Sequence, residues 1–308
     1  MSMSRAGWSK PISYRLVRIT CIINRMSTTI NQTVLMSGAD YFDVVDLNSY
    51  SHGVEAVNRD RAMQDFAAIQ SAAEQAGITV IKTPAPVDCQ DGIFTANWGL
   101  CRGDTVIMSS LPNMRKAEEP YAEQVLADFG KKIIKAPYRF SGQGDALPCG
   151  NYLFAGSNYR TDPRMHDFIA DTFGYAVISL TTIPELDEAG NPVTNKLSGW
   201  PDGFFYDLDL SISILTPELI AWCPEAFLPE SQDKLRALPI NKIEVSLSEA
   251  MEGFACNLLS TGETVIMSSH APQLQAAIKA RGLRTITPEV SELGKGGGFI
   301  RCTTLTLF

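Results

Sequence analysis

Residues 103–110 read GDTVIMSS, and residues 262–269 read GETVIMSS. Upstream of each lies a Phe-x-x-Asn, Phe94 with Asn97 and Phe254 with Asn257. The copies are 159 residues apart, too far for a local duplication and suited to a unit that recurs along the chain. A second register gives the unit. Four amphipathic stretches (60–76, 118–129, 162–173 and 271–281) each end at a glycine, Gly77, Gly130, Gly174 and Gly282. Each glycine leads at once into a β-branched run: ITVIKT, KKIIKA, YAVISL and LRTIT. Glycine accepts the left-handed conformation that ends a helix, and Val/Ile-rich runs suit strands. The glycines are spaced by 53, 44 and 108 residues, and the doubled interval predicts a degenerate copy at 231–247. Five units of about 50 residues follow.

Within a unit the reading is strand, strand, helix, strand, with FTANWGL and TVIMSS as the first two strands of one copy. The fold class is therefore α/β, expected as a five-bladed α/β propeller of ββαβ units. Its helices lie outside and its loops converge on a central channel. Two tandem α/β domains are the alternative.

Composition limits the function. The 308 residues are 45% apolar and 19% charged, and 26 basic against 34 acidic side chains give a net charge of −8. That balance opposes nucleic acid as a partner, and no apolar run reaches the roughly 20 residues that span a membrane. Seven cysteines (21, 89, 101, 149, 223, 256 and 302) form no CxxC pair, which suits reduced thiols and a cytoplasmic setting. No P-loop, dinucleotide fingerprint or ligand-spaced His/Cys cluster implies a cofactor or a metal. Five basic residues precede the first acid, Asp40, so residues 1–32 read as a basic extension ahead of a single domain at 33–308. It is either a mitochondrial transit peptide or a loose tail before Met26.

Polar clusters recur at one phase of the units: Asp91-Gly-Ile-Phe-Thr-Ala-Asn97, Phe140-Ser-Gly-Gln-Gly-Asp145, Tyr206-Asp-Leu-Asp209, Phe254-Ala-Cys-Asn257 and GGGFIRC at 296–302. Together they resemble the guanidine-modifying superfamily, the pentein fold of dimethylarginine dimethylaminohydrolases, arginine deiminases and amidinotransferases. The resemblance covers about residues 34–308. It implies that Cys302 is the nucleophile, forming a covalent intermediate on a guanidine carbon. It implies that Asp209 and Asp145 grip the guanidinium, and that Phe94, Asn97 and Asp91 line the same pocket. Arg160 would fork onto a substrate carboxylate. Two positions depart from the family pattern. Asp207 stands where relatives carry the general acid–base histidine of His-Leu-Asp, and Ser141 where they carry the glutamate of Phe-Glu-Gly.

The only histidines are His52, His166 and His270, none at a motif position. His52 is a candidate to reach the site; His166 and His270 are expected to face solvent. Asp207 and Asp209, two apart on an expected strand, would share one face. One negative charge 6 Å from the thiol at an effective dielectric of 20 is worth about 2.8 kcal/mol. Cys302 is therefore expected to rest as an unreactive thiol until a guanidinium arrives, with one crowded acid, Asp207 in the histidine position, shuttling protons. The expected function is a cofactor-independent hydrolase of a small guanidino or ureido compound. An amidinotransferase and a catalytically inactive, ligand- or partner-binding pentein are the alternatives, and self-association into a homo-oligomer is left open.

Overall fold

The computed structural model describes residues 30–44, 55–157, 159–196 and 198–307. In it the expected unit repeats in chain order. The first unit holds β1 (Thr33–Ser37), α1 (Arg59–Gln75) and β2 (Thr79–Thr83). The second holds β3 (Gly99–Arg102), β4 (Thr105–Met108), α2 (Glu118–Asp128) and β5 (Lys132–Lys135). In the third are β6 (Ala146–Cys149), β7 (Tyr152–Gly156), α3 (Arg164–Phe173) and β8 (Ala176–Leu180). The fourth runs through β9 (Ile212–Thr216), β10 (Leu219–Trp222), α4 (Pro229–Ala237) and β11 (Asn241–Glu244). A short helix α5 (Leu247–Glu252) precedes the fifth, β12 (Leu259–Ser260), β13 (Thr264–Ile266), α6 (Pro272–Ala280) and β14 (Arg284–Ile286). The strand β15 (Leu305–Thr306) returns to β1.

Each unit makes one three-stranded sheet of the same design. The middle strand pairs antiparallel with the strand before it and parallel with the strand after its helix. The first sheet obtains this pattern from both ends of the chain, with β15 taking the antiparallel place beside β1. Burial falls outward across a sheet: β9 is largely buried, whereas β2 and β5 are half-exposed. The buried first strands meet one another, β15 against β3, β6 against β9 and β9 against β12. The helices turn i, i+4 apolar pairs inward, Ala122 with Leu126, Met165 with Ile169 and Leu274 with Ile278, as a 3.6-residue period requires.

The degenerate fourth copy is present where the doubled interval placed it. The four glycines that ended the helices in the sequence all adopt positive φ, between 70° and 88°. Three local expectations are corrected. Phe94–Trp98 is not strand: Thr95–Trp98 forms a 3-10 turn, and the strand begins at Gly99. Asp207 and Asp209 do not lie on a strand either. Asp207 is extended and caps a 3-10 turn at Leu208–Leu210, whose tight geometry carries both carboxylates into the interior at 1% exposure. His166 is half-buried, its Nε2 2.8 Å from the Gly156 carbonyl. His270 is exposed, as expected.

Residues 30–32, read from sequence as part of the extension, already bond to the fold. Ile30 N–H donates to Thr261, Asn31 Nδ2 to the Ser260 carbonyl, and the Gln32 carbonyl accepts from Thr79. Ser246 caps α5, its hydroxyl accepting from Glu249 N–H, and the Glu249 carboxylate does not return to Ser246. The Glu249 carboxylate instead accepts from the N–H groups of Gln273 and Leu274, capping α6.

Gly130 has φ of 75° and nothing within 4 Å of where a Cβ would sit, so its role is conformational alone. Gly130→Ala is expected to destabilise the fold by about 1 kcal/mol in urea unfolding, the left-handed penalty of an L-residue. An unchanged midpoint would contradict that reading.

Candidate active site

Cys302 sits in the turn that leads into β15, and its backbone is held from two units at once. Its carbonyl accepts from Ala96 N–H at 3.0 Å, and its own N–H donates to Asn257 Oδ1 at 3.2 Å. Because that oxygen is taken by an N–H donor, the Asn257 amide must turn its NH2 toward the sulfur. Nδ2 lies 3.1 Å from Sγ and also donates to the Asp209 carbonyl. The thiol in turn donates to Asp209 Oδ2 at 3.3 Å. Cys302 is buried, 4% exposed. It is in direct contact with one of the expected acids.

Asp207 is engaged elsewhere. Its Oδ2 accepts from Asn97 Nδ2 at 2.8 Å and lies 3.8 Å from Arg160 Nη1. Asn97 is oriented by Arg115, which can only donate and takes Oδ1 at 2.8 Å, leaving Nδ2 for Asp207 and for the Ser141 hydroxyl and carbonyl. Arg115 is itself buried and doubly bonded to Glu118 at 2.7 Å. The Arg160 guanidinium lies 3.9 Å over the Tyr206 ring, whose hydroxyl donates to Gly297. Asp145 Oδ1 accepts from Leu208 N–H, tying it to the Asp207–Asp209 turn.

Glycines make room for this crowding. A Cβ on Gly156 would fall 1.9 Å from Asp145 Oδ1, and one on Gly144 would fall 2.5 Å from Asn97 Nδ2 and 2.8 Å from Asp207 Oδ2. Gly296 and Gly298 let the Phe94 ring lie directly on the strap that carries Cys302.

Seven of the eight side chains expected at the site are buried and Arg160 is half-buried, though not in the expected pairs. Cys302 contacts Asp209, while Asp207 contacts Asn97 and Arg160. Asp145 supports the turn, Phe94 packs beneath the glycine strap, and Asp91 presents its carbonyl to Arg115. His52 lies outside the described residues. The sequence reading missed Asn257, Arg115 and Glu118 as site residues. A signal for Asn257 was available, since Phe254-x-x-Asn257 repeats Phe94-x-x-Asn97 and both asparagines carry the polar contacts at the centre. Arg115 and Glu118 form an i, i+3 pair that a sequence cannot distinguish from a surface salt bridge.

Electrostatics follow from burial. Asp209 is pushed up to about 8 by burial and by the neighbouring Asp207, with Arg301 and the thiol contact opposing. Burial, then Asp207, raises Asp145 well above the usual carboxylate range. Asp91 is raised to about 6, mainly by burial, against the pull of Arg115. The Cys302 thiol is raised well above its ordinary value by burial first and the Asp209 charge second. The resting pair is thus a protonated thiol beside a protonatable carboxyl. One oxygen each of Asp207 and Asp209 has no hydrogen-bond partner among the described residues. Buried carboxylate oxygens without donors are costly, and a planar group with several N–H donors would satisfy them. Among the described residues no cluster of His, Cys, Asp or Glu has the arrangement of a metal site, and no helix is long and apolar enough to cross a membrane.

Comparison with known proteins matches the chain to one family. The sequence model described as "N,N dimethylarginine dimethylhydrolase, eukaryotic" matches residues 46–308. The N(G),N(G)-dimethylarginine dimethylaminohydrolase of Mycobacterium tuberculosis is 30% identical over 218 residues, 70% of this chain and 66% of that protein. The bifunctional arginine dihydrolase/ornithine cyclodeaminase AgrE of Nostoc sp. is 29% identical over 280 residues, which are 88% of this chain and 37% of AgrE. The chain thus spans little more than a third of that relative. The N-terminal domain of ArgZ, an arginine dihydrolase of the cyanobacterial ornithine–ammonia cycle solved with its product, aligns with a TM-score of 0.80 at 26% identity, covering 90% of this chain and 97% of the domain. A variant of that domain has been solved covalently bound to a reaction intermediate.

Asp209 also sets a pH dependence of stability. Its folded value of about 8 exceeds the ordinary 3.8, so between these values the folded chain keeps a proton that the unfolded chain has lost. The stability this group contributes is complete below about pH 4 and is lost as pH rises through 8, with a slope of up to about 1.4 kcal/mol per unit. Thermal melts of Asp209→Asn between pH 5 and 8 are expected to fall less steeply than those of the native chain. Parallel slopes would show that Asp209 is ionised in the fold.

Proposed function

The chain belongs to the N,N-dimethylarginine dimethylhydrolase family, and from that premise we propose that it hydrolyses the guanidino group of a small arginine-like compound through Cys302. The observation that carries this reading is the contact of Sγ with both Asp209 Oδ2 and Asn257 Nδ2, beside carboxylate oxygens that lack donors. The five sheets are read as blades of a closed ring within one domain, with these residues at its hub.

A guanidinium entering the cluster supplies the missing charge. Asp207, Asp209 and Asp145 accept its N–H groups, Asn97 and Phe94 bound the pocket, and Arg160 meets the carboxylate of the substrate, with Asp91 balancing the buried guanidiniums around it. The added cation favours both carboxylate and thiolate, so Asp209 releases its resting proton to solvent as the guanidinium binds and then takes the Cys302 proton as sulfur bonds to the guanidine carbon. A C–N bond then breaks, and the departing nitrogen takes that proton from Asp209. Water adds to the carbon of the sulfur-bound amidine, giving a proton back to Asp209, and the C–S bond breaks to restore the thiol. Asp209, rather than Asp207, is the acid in reach of the sulfur and takes the work that histidine does in relatives. An amine in place of water would make the same intermediate a transferase intermediate.

Asp207 and Ser141 in the positions of the family's histidine and glutamate support a second reading, a binding module for the same class of ligand without turnover. A panel of guanidino and ureido compounds, assayed for ammonia, methylamines, citrulline and ornithine, separates the two. Turnover lost in Cys302→Ser supports hydrolysis; turnover that survives it removes the nucleophile, and silence across the panel leaves the binding module. Alkylation of the free Cys302 thiol is expected to be slow at neutral pH. A bound guanidinium about 6 Å away should accelerate it on the order of 100-fold, the two pKa units that such a charge is worth. Rapid alkylation of the free protein near pH 7 would contradict the resting-thiol mechanism.

A further inference from the structure

A cavity of about 320 Å3 opens between the hairpin ends of three sheets, with Arg102, Gly150 and Pro217 among its walls. Cys302, Asp145, Asp207, Asn97 and Arg160 do not line it. Its charge is opposite to that of the chain, whose net charge is −8. Two arginines, Arg102 and Arg301, face one acid, Asp209, which is pushed up to about 8 and is largely uncharged at neutral pH.

Arg301 is 7% exposed, and its hydrogen-bond partners among the described residues are neutral. Nη1 donates to the Thr304 carbonyl and hydroxyl, and Nη2 to Gln143 Oε1. Gln143 is locked in that role, because the same oxygen accepts from Thr306 N–H while Nε2 donates to the Thr306 carbonyl. A guanidinium has five N–H donors, so Nε–H and one Nη2 hydrogen of Arg301 remain for another acceptor. A buried cation with neutral partners is costly, and an anion offsets that cost. The side chains of Ile30, Pro148, Ile214 and Pro217, all half-buried, add an apolar wall to the same space.

We propose that this cavity is a binding site for a small monocarboxylate with an apolar chain, the carboxylate forked on Arg301 and the chain lying against Pro148, Ile214 and Pro217. A zwitterionic amino acid fits less well, since the acid lining the cavity is protonated and offers its ammonium no counter-charge. Occupancy acts on the catalytic cluster through Arg301. The Arg301 charge lowers the proton affinity of Asp209, and Asp209 and Cys302 both interact with that charge. A bound carboxylate offsets it and keeps protons on Asp209 and Cys302, so the ligand inhibits the proposed reaction. The inhibition rests on the hydrolytic reading; the binding does not.

Calorimetric titration of the full chain at pH 7 with acetate, butyrate and hexanoate tests the site. Expected is binding that tightens about fourfold per added methylene, and that weakens on the order of 10-fold for hexanamide and in Arg301→Gln. If Arg301→Gln lowers the melting temperature, Ile214→Trp, which fills the cavity from its wall, is expected to abolish binding instead. Arg160→Gln is expected to bind hexanoate as the native chain does. No binding at millimolar hexanoate, equal affinity for hexanamide, or binding that is lost in Arg160→Gln would overturn the site. Chloride binding as tightly as hexanoate would also overturn it, leaving an adventitious ion only. Saturating hexanoate should slow alkylation of Cys302 at pH 8 on the order of 10-fold; an unchanged rate with hexanoate bound would overturn the coupling. Silence across the guanidino panel would strike the hydrolytic reading and leave the titration standing.

Discussion

The architecture depends on keeping three aspartates out of water around one thiol. Asp145, Asp207 and Asp209 are each no more than 2% exposed, a state that opposes folding unless the charges are neutralised or bonded. The surroundings answer that requirement group by group. Arg160 neutralises Asp207 across a long contact, a backbone N–H and a widened glycine seat hold Asp145, and a raised affinity for its proton leaves Asp209 largely uncharged. In the proposed function, an arriving guanidinium supplies the charge and the donors that the chain itself leaves wanting.

Pseudo-symmetry supplies the two amides that organise the centre. Asn97 and Asn257 occupy the same place in their units, just before the first strand of a sheet, and each has its oxygen captured by a donor that fixes its orientation. The captors differ: a buried Arg115 in one unit and the Cys302 backbone in the other. The same local frame thus presents one NH2 to a carboxylate and the other to a sulfur. Repetition provides the positions, and divergence at the captor decides the chemistry.

The fold was legible because it is written in short-range rules repeated often enough to be counted. Helix-ending glycines, β-branched runs and the GDTVIMSS and GETVIMSS pair each report local backbone preference, and the spacing of such signals locates even the degenerate fourth copy. The first sheet was not legible in the same way, since its two-residue β15 lies at the far end of the chain and is too short to carry a pattern of its own.

The residues that the sequence singled out pack against one another, but in other pairs than the sequence suggested. Cys302, Asp145, Asp207 and Asp209 stand out by motif, but an extended run was read through Asp207–Asp209 where a 3-10 turn forms. Alternation along a strand and the tighter turn both send the two carboxylates inward, yet only the turn brings Asp209 rather than Asp207 to the sulfur. Local composition fixed the repeating unit, the helix ends and the acidic character of the centre, because those properties belong to neighbouring residues. Which carboxyl meets the thiol, which way each asparagine turns and why Arg115 is buried were decided by tertiary packing, because each depends on a hydrogen bond between residues that lie far apart in the sequence or on a helix face whose burial the fold alone determines.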